Sequence, residues 1–378
     1  MQRLILTPDA VRPASRGHPW VYPDGLRDRP PLPPGTPVHL FDSSGNAVAF
    51  GLSDEGDIAV RLLGRHPEPI SRLLASRIGR AATERAGVLP PQTDAFRLVN
   101  GAGDGLPGLV VDRYGDLAVV QLHGRCWEPH LDAVTAALSG ATWVVRRLGI
   151  RRVDGRQGID LLAGGQPPET LVVSEAGLRF LVRPRTGQKT GLFLDQREHR
   201  RMVASLARDL IVVNLFGYTG GFSVHAAAAG ARRVTTVDIA ADALDDAREN
   251  FRLNGLDPNG HAFVKADAFS WRPDQPPDLA VCDPPSLSHG KDADRAAGRA
   301  YRDLATRTGA MLSSGGLLAT ASCTARLSWD RWEEAIRDGL RKAGRWSWLW
   351  RAGEPPDHPV ALAHPEGRYL KFAVLRRH

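Results

Sequence analysis

Lysine is scarce in this 378-residue chain, occurring only at Lys189, Lys265, Lys291, Lys342 and Lys371. Arginine therefore carries almost all the positive charge behind a net charge of +7. Arginine suits forked contacts to phosphate and stacking on bases, and a basic balance favours an anionic partner such as nucleic acid. An arginine-rich ordinary surface gives the same balance, so composition leaves both readings open. Cysteine is scarcer still. Cys126, Cys282 and Cys323 are scattered without paired spacing, which excludes a disulfide framework and a zinc signature. Long apolar runs are missing as well. The longest stretch without Asp, Glu, Lys or Arg, Leu210 to Ala231, contains Asn214, Thr219, Ser223, His225 and four glycines, which argues against a membrane span. The opening MQRLILTPDAVRP lacks the apolar centre of a signal peptide. A cytoplasmic protein with neither membrane nor metal as a partner is expected.

What is present reads as several domains, since one core rarely serves a chain this long. LILT, PVHLF, AVAFGL and DIAVRLL are short strand-like runs broken by Pro, Gly, Asp and Ser, and fit a small barrel over residues 1–67. From 68 to 185 an α+β domain is expected. In it Ile70, Leu73, Leu74, Ile78 and Ala81 share one helical face. Trp127 to Leu138 is expected as a helix, and ETLVVSEAGLRFLVRP as a hairpin turning at Glu175-Ala176-Gly177. Over 186–378, strands such as LIVVNLF, RVTTVD, AFVKAD, DLAVCD and GLLATAS alternate with helical runs. That rhythm predicts an α/β fold with an open, mostly parallel, doubly wound sheet.

Ligands of such sheets lie beyond the carboxyl ends of the strands. Gly217, Gly220 and Gly221 in VNLFGYTGGFSVHA allow a tight turn and a close backbone approach. The GxxGG spacing disfavours the pyrophosphate cradle of GxGxxG. Asp238, ending the next strand, suits two ribose hydroxyls. Asp267, after the third strand, reads either as an adenine-side ligand or as a helix cap. CDPPSLSHGK follows the fourth strand. Its prolines remove donors and fix the chain, leaving Asp283 and rigid carbonyls to hold the edge of a base; a plain capped turn is the alternative. Cys323 emerges from the fifth strand on the same edge. It reads as a buried filler by residue type, or as a nucleophile that adds to carbon-6 of a cytosine and activates carbon-5 for methylation. Cys282 and Cys126 read as structural.

Together TGLFLDQREHR, NLFGYTGGFSVHA, DPPSLSHGK, SCT and DHPVALAHPEGRYLK, with RGHPWVYPDGL and GDGLPGLVVDRYGD upstream, resemble the class I 23S rRNA cytosine-5 methyltransferases of the large-subunit methyltransferase I type. The resemblance spans nearly the whole chain. It implies a PUA-like RNA-binding domain, a middle α+β domain and a Rossmann-like catalytic domain that uses S-adenosylmethionine. The implied cofactor site is Asp195, Gln196, Arg197, Phe216, Gly217, Tyr218, Thr219, Gly220, Asp238, Asp267 and Asp283. Cys323 would be the nucleophile, with Asp283 at the reacting base. The implied partner is 23S rRNA, met by Arg16, His18, Lys189 and Lys291, and a homodimer is compatible with it. Trp20 and Tyr22 interleave aromatic faces with the charge, as stacking on unpaired bases requires, although Trp20 reads better as core. Two alternatives stay open: methylation of an exocyclic amine (guanine-N2 or adenine-N6), which needs no cysteine, and RNA binding without catalysis.

Overall fold

The apolar runs near the N-terminus form β1 (Gln2–Ile5), β2 (Trp20–Val21), β3 (Pro37–Phe41), β4 (Ala47–Ser53) and β5 (Val60–Gly64). The computed structural model describes residues 1–149, 153–185, 192–287 and 293–378, the side chains of 293 and 294 excepted. The strand order is β1-β3-β4-β5-β2, with β1 parallel to β3 and the other neighbours antiparallel. A bridge between Leu6 and Leu26 returns from the chain after β2 to the chain after β1, the closure a small barrel needs. Leu4, Leu6, Val38, Leu40 and Val60 fill its interior. Helix α1 (Pro8–Ser15) starts on proline, whose missing amide costs nothing in the first turn.

Helix α2 (Ile70–Val88) buries the face its spacing predicts. With it packs a second sheet of β6 (Ala95–Asn100), β7 (Leu109–Tyr114), β8 (Leu117–Leu122), β9 (Trp143–Leu148) and β10 (Gly158–Ala163), ordered β10-β9-β8-β7-β6. The helix expected over Trp127 to Leu138 is shorter. A 3-10 turn, Arg125–His130, precedes α3 (Leu131–Ala137).

By packing, the chain forms two compact units where the sequence suggests three parts. The first holds Met1–Leu171 and Pro356–Gly367. The late segment is anchored there by buried polar bonds. Arg85 pairs with both oxygens of Asp104 at 2.7 Å and donates to the Asp357 carbonyl at 3.1 Å. Arg97 N donates to the Asp357 carboxylate at 3.0 Å.

The second unit begins with the hairpin β11 (Leu171–Glu175) and β12 (Leu178–Val182). Ala176 and Gly177 both have positive φ, 51° and 83°, as a two-residue hairpin turn requires. After α4 (Arg197–Leu206) come β13 (Ile211–Leu215), α5 (Gly221–Ala228), β14 (Arg233–Asp238), α6 (Ala241–Leu253), β15 (Ala262–Lys265) and β16 (Leu279–Cys282). Then follow α7 (Ala293–Met311), β17 (Leu317–Ser322), α8 (Trp329–Leu340), β18 (Trp346–Ala352) and β19 (Lys371–Arg377). The hairpin docks on α6: Asn250 Oδ1 accepts from Leu181 N at 2.7 Å, and Asn254 Oδ1 from Arg179 N at 2.8 Å. The seven-stranded sheet runs β15-β14-β13-β16-β17-β19-β18, parallel from β15 to β17 and antiparallel at β19 and β18. Strands β16 and β17 are buried throughout, which is why they read as apolar runs rather than alternations. The order reverses at β13, so the chain ends after β13, β14, β16 and β17 share one edge at the switch point. Among the described residues no helix is long and apolar enough to cross a membrane.

Candidate active site

The turn after β13 is built from unusual backbone. Phe216 and Tyr218 have φ of 57° and 47°, and Gly220 has φ of 77°. Non-glycine residues there cost about 1–3 kcal/mol each unless their surroundings hold them. Several bonds do so. Gly217 N donates to Val237 O at 2.9 Å, Tyr218 N to Asp238 Oδ2 at 2.8 Å, and Gly220 N to Gly217 O at 2.8 Å. Gly217 is needed for space, since a Cβ there would lie 2.5 Å from Thr236 Cγ2. Asp238 also accepts from Ala240 N at 2.9 Å. Each oxygen keeps a lone-pair direction for a ligand hydroxyl.

This turn walls a cavity of about 330 Å³, within the usual range for small-molecule sites. The other walls come from Leu192, Phe193, Asp195, Gln196, Arg200, Ile239, Asp283, Pro284, Pro285 and Cys323. Asp195 is buried and accepts from the Tyr369 hydroxyl at 2.7 Å. Gln196 Nε2 donates to Asp283 Oδ2 at 3.1 Å, and Gln196 Oε1 lies 2.5 Å from His199 Nδ1. An amide oxygen only accepts, so His199 carries its proton on Nδ1. Burial holds His199 down to about 4, against the pull of Asp195, and its ring stacks on Phe372 with centroids 4.2 Å apart.

The three cysteines separate by environment. Cys126 and Cys282 are buried; burial pushes the first thiol well up and the second to about 12. Cys323 is half-buried and lines the cavity. Below it Lys371 Nζ donates to Thr324 O at 3.1 Å and to Tyr369 O at 3.0 Å. Burial lowers the pKa of Lys371, while Glu354 and Cys323 draw it back up. Tyr301 lies 3.3 Å from the Thr324 hydroxyl. Its phenol is raised by burial, with Cys323 and Asp283 among the smaller contributors.

The donor set fits an adenosine bearing a positively charged sulfur. There is a carboxylate for ribose hydroxyls (Asp238), an apolar side for a flat ring (Phe216 and Ile239), and two further carboxylates, Asp195 and Asp283, for the positive charge. Residues 120–365 match the S-adenosylmethionine-dependent methyltransferases. The chain belongs to that family. Residues 4–65 of this methyltransferase match the PUA-like domain. It is 37% identical to a ribosomal RNA large subunit methyltransferase of Deinococcus radiodurans, over 95% of this chain and 93% of the relative. It is 34% identical to the ribosomal RNA large subunit methyltransferase I of Klebsiella pneumoniae, over 99% and 98%. A solved Streptococcus mutans chain, assigned as an S-adenosylmethionine-dependent methyltransferase, aligns over the whole of both chains with a TM-score of 0.85 at 24% identity. A methyltransferase structure in complex with S-adenosylhomocysteine does so at 0.87 and 24%. These two likenesses bear on the fold.

Among the residues expected at the cofactor, Asp195, Gln196, Phe216, Gly217, Tyr218, Thr219, Asp238 and Asp283 line the methyltransferase's cavity; Arg197, Gly220 and Asp267 are not among its lining. Arg197 is fully buried, with Nε 3.1 Å from Glu198 Oε1. Gly220 is the N-cap of α5. Asp267 is exposed and accepts from Phe269 N at 2.9 Å, closing a turn that no helix follows. Arg16 is exposed after α1, and His18 Nδ1 lies 3.0 Å from Trp20 O. Trp20 is half-buried, with its ring 4.4 Å from that of His364. Lys189 and Lys291 lie outside the described residues. Sequence reasoning missed Arg200, Ile239, Tyr301 and Lys371. Ile239 is 70% exposed, and nothing in its type announces that. Lys371 had a signal: a rare lysine inside an apolar strand.

Proposed function

We propose that this methyltransferase modifies carbon-5 of a cytosine in large-subunit ribosomal RNA, through a covalent adduct between Cys323 and carbon-6. The carrying observation is the environment of Cys323. It is the half-buried cysteine, it lines the cofactor cavity together with Asp283, and its neighbour Lys371 is a buried cation. A cation beside a thiol favours the thiolate, the reactive form. The names of the relatives, the PUA-like segment and the arginine-rich charge support an RNA acceptor.

Bound S-adenosylmethionine supplies an electrophilic methyl group. Asp238 and the Phe216–Thr219 turn would hold its nucleoside, with Asp195 and Asp283 near its charge. The chain's own work is to make a poor carbon nucleophile reactive. Cys323 Sγ bonds to carbon-6, and the electrons of the 5,6 double bond make carbon-5 carbanion-like while charge develops at ring N3. Asp283, oriented by Gln196, passes a proton to N3 as that charge develops and takes it back when the adduct collapses. Once carbon-5 is methylated, a base takes its proton, the double bond re-forms and the carbon–sulfur bond breaks, returning the electron pair to Cys323.

The test is mass mapping of ribosomal RNA from cells with and without this protein, followed by rescue with Cys323→Ala. A methyl group on cytosine carbon-5 that only the native chain restores is the expected result. Retained methylation by Cys323→Ala would instead favour attack by an exocyclic amine, which uses the Asp-Pro-Pro loop without a thiol.

A further inference from the structure

One short stretch at the start of β19 braces two parts of the cofactor cavity. The Tyr369 hydroxyl donates to Asp195 Oδ2 at 2.7 Å. Lys371 Nζ donates at 3.1 Å to the carbonyl of Thr324, the residue after Cys323. The stretch is itself fixed. Glu354 Oε1 accepts from Tyr369 N at 2.6 Å and from Leu370 N at 2.8 Å, and the Tyr369 carbonyl accepts from Lys371 Nζ at 3.0 Å. Asp195 comes from the 3-10 turn Leu194–Gln196, is buried, and lines the cavity together with Cys323 and Asp283. A carboxylate and the backbone beside the thiol thus share one frame.

The covalent route needs a base for the carbon-5 proton, and the other ionisable groups on the cavity wall are committed. Cys323 is bonded to carbon-6 at that stage, and Asp283 serves N3. Asp238 accepts from the amides of Tyr218 and Ala240 at the ribose position. Arg200 is paired with Glu175, and a guanidinium stays protonated. A phenol such as that of Tyr218 keeps its own proton at neutral pH. Asp195 remains. In the reading above it stands near the positive charge of the cofactor, which is gone once the methyl group has moved. An opposite charge holds a carboxylate ionised, so its loss makes the carboxylate a better proton acceptor at the moment one is needed.

We propose that Asp195 is the base that removes the carbon-5 proton, with Tyr369 as its positioning residue. The inference rests on the covalent reading and completes it. Methylated carbon-5 carries both the new methyl group and its original hydrogen. Asp195 takes that hydrogen as a proton, and the carbon–hydrogen pair becomes the 5,6 double bond. The carbon–sulfur bond breaks and its pair returns to Cys323. Asp195 then gives its proton to water, the one proton that the overall methyl transfer releases.

The probe is an unmethylated transcript of large-subunit ribosomal RNA carrying tritium on cytosine carbon-5. The native chain should release one tritium for each methyl group transferred. Asp195→Asn keeps the shape of the side chain and an acceptor for Tyr369 but removes the base. It should still transfer a methyl group, release tritium about a hundredfold more slowly, and accumulate a methylated protein–RNA adduct that survives denaturing electrophoresis. A second readout needs no cofactor. Without a methyl donor, addition of Cys323, protonation of carbon-5 by water and removal of its tritium wash the label out, and Asp195→Asn should abolish this exchange. Calorimetry with S-adenosylhomocysteine, whose sulfur is uncharged, reports that the variant is folded. Should it not fold, Tyr369→Phe decides, with breakdown of the adduct slowed about tenfold against a smaller change in methyl transfer. Native tritium release by folded Asp195→Asn, equal slowing of transfer and release without adduct, or native breakdown in Tyr369→Phe overturns the proposal. Methylation by the native chain with all tritium retained places the methyl group elsewhere and fails at the earlier reading instead.

Discussion

Gln196 ties Asp283 to His199: its amide nitrogen donates to Asp283 Oδ2 at 3.1 Å while its amide oxygen accepts from His199 Nδ1 at 2.5 Å. His199 is in turn fixed by stacking on Phe372. A neutral histidine thereby determines which way the amide faces, and the amide determines where the carboxylate points. Gln196→Leu removes the link without adding charge. It should lower kcat roughly tenfold, with S-adenosylhomocysteine affinity changed less than about threefold, because positioned groups act mainly in the transition state. Single-turnover methylation and calorimetry measure the two, and an unchanged kcat sinks the positioning role.

The same chain carries a pH dependence. Folded His199 stays neutral down to about pH 4, whereas histidine in an unfolded chain takes up a proton near 6.5. Its contribution is therefore fully present above about pH 6.5 and is lost as pH falls through 4, by up to about 3 kcal/mol. Urea midpoints for the native chain and His199→Asn should converge as pH drops across that window. Parallel curves from pH 7 to 4 would contradict it.

Sequence made the catalytic sheet legible because its central strands β13, β16 and β17 are buried on both faces and bounded by glycine, proline and aspartate. Asp238, Asp283 and Cys323 could be placed because each ends such a strand, and strand ends share one edge. Contacts that depend on tertiary distance were not legible. Arg197 and Arg200 are three apart in one arginine-rich helix; only packing shows that Arg197 is buried off the cavity lining and Arg200 reaches it. The hairpin read correctly as a hairpin, but its partners, Asn250 on α6 and Asn254 just past its end, lie some seventy residues on. Asp267 carried two local meanings, a ligand acid or a helix cap; its carboxylate closes a turn at Phe269 N with no helix after it.

Lys371 should set the reactivity of Cys323. Replacing it with Met keeps length and apolar packing while removing the cation. The expected outcome is an upward shift in the pH at which iodoacetamide alkylates Cys323, with slower alkylation at pH 7. Cys126 and Cys282 are buried, so alkylation of the native fold, read by peptide mass, reports Cys323 alone. An unshifted alkylation profile would remove Lys371 from the account of thiol activation. Lys371→Arg, which keeps the charge, should shift it less than Lys371→Met.

The last prediction concerns Arg200, whose Nε and Nη2 are held by Glu175 at 2.7 and 2.5 Å. Burial alone would raise the Glu175 carboxyl, but Arg200 and His225 bring it down to about 2. The ion pair is thus intact at any working pH, and it fixes the guanidinium across the first turn of α5. The remaining nitrogen, Nη1, would lie 3.4 Å from a Cβ placed on Gly221, and both residues line the cofactor cavity. The corner of the fork that Glu175 does not use is therefore presented beside a helix N-terminus, where a carboxylate is favoured. The amino-acid end of the cofactor carries such a group. Arg200→Lys preserves the charge opposite Glu175 but loses the fork. It should weaken S-adenosylhomocysteine binding about tenfold while leaving 5′-methylthioadenosine, which lacks the amino acid, within about twofold. Destabilisation of the cavity as a whole would weaken both ligands equally, so the ratio of the two affinities, measured by calorimetry on one preparation, isolates the contact.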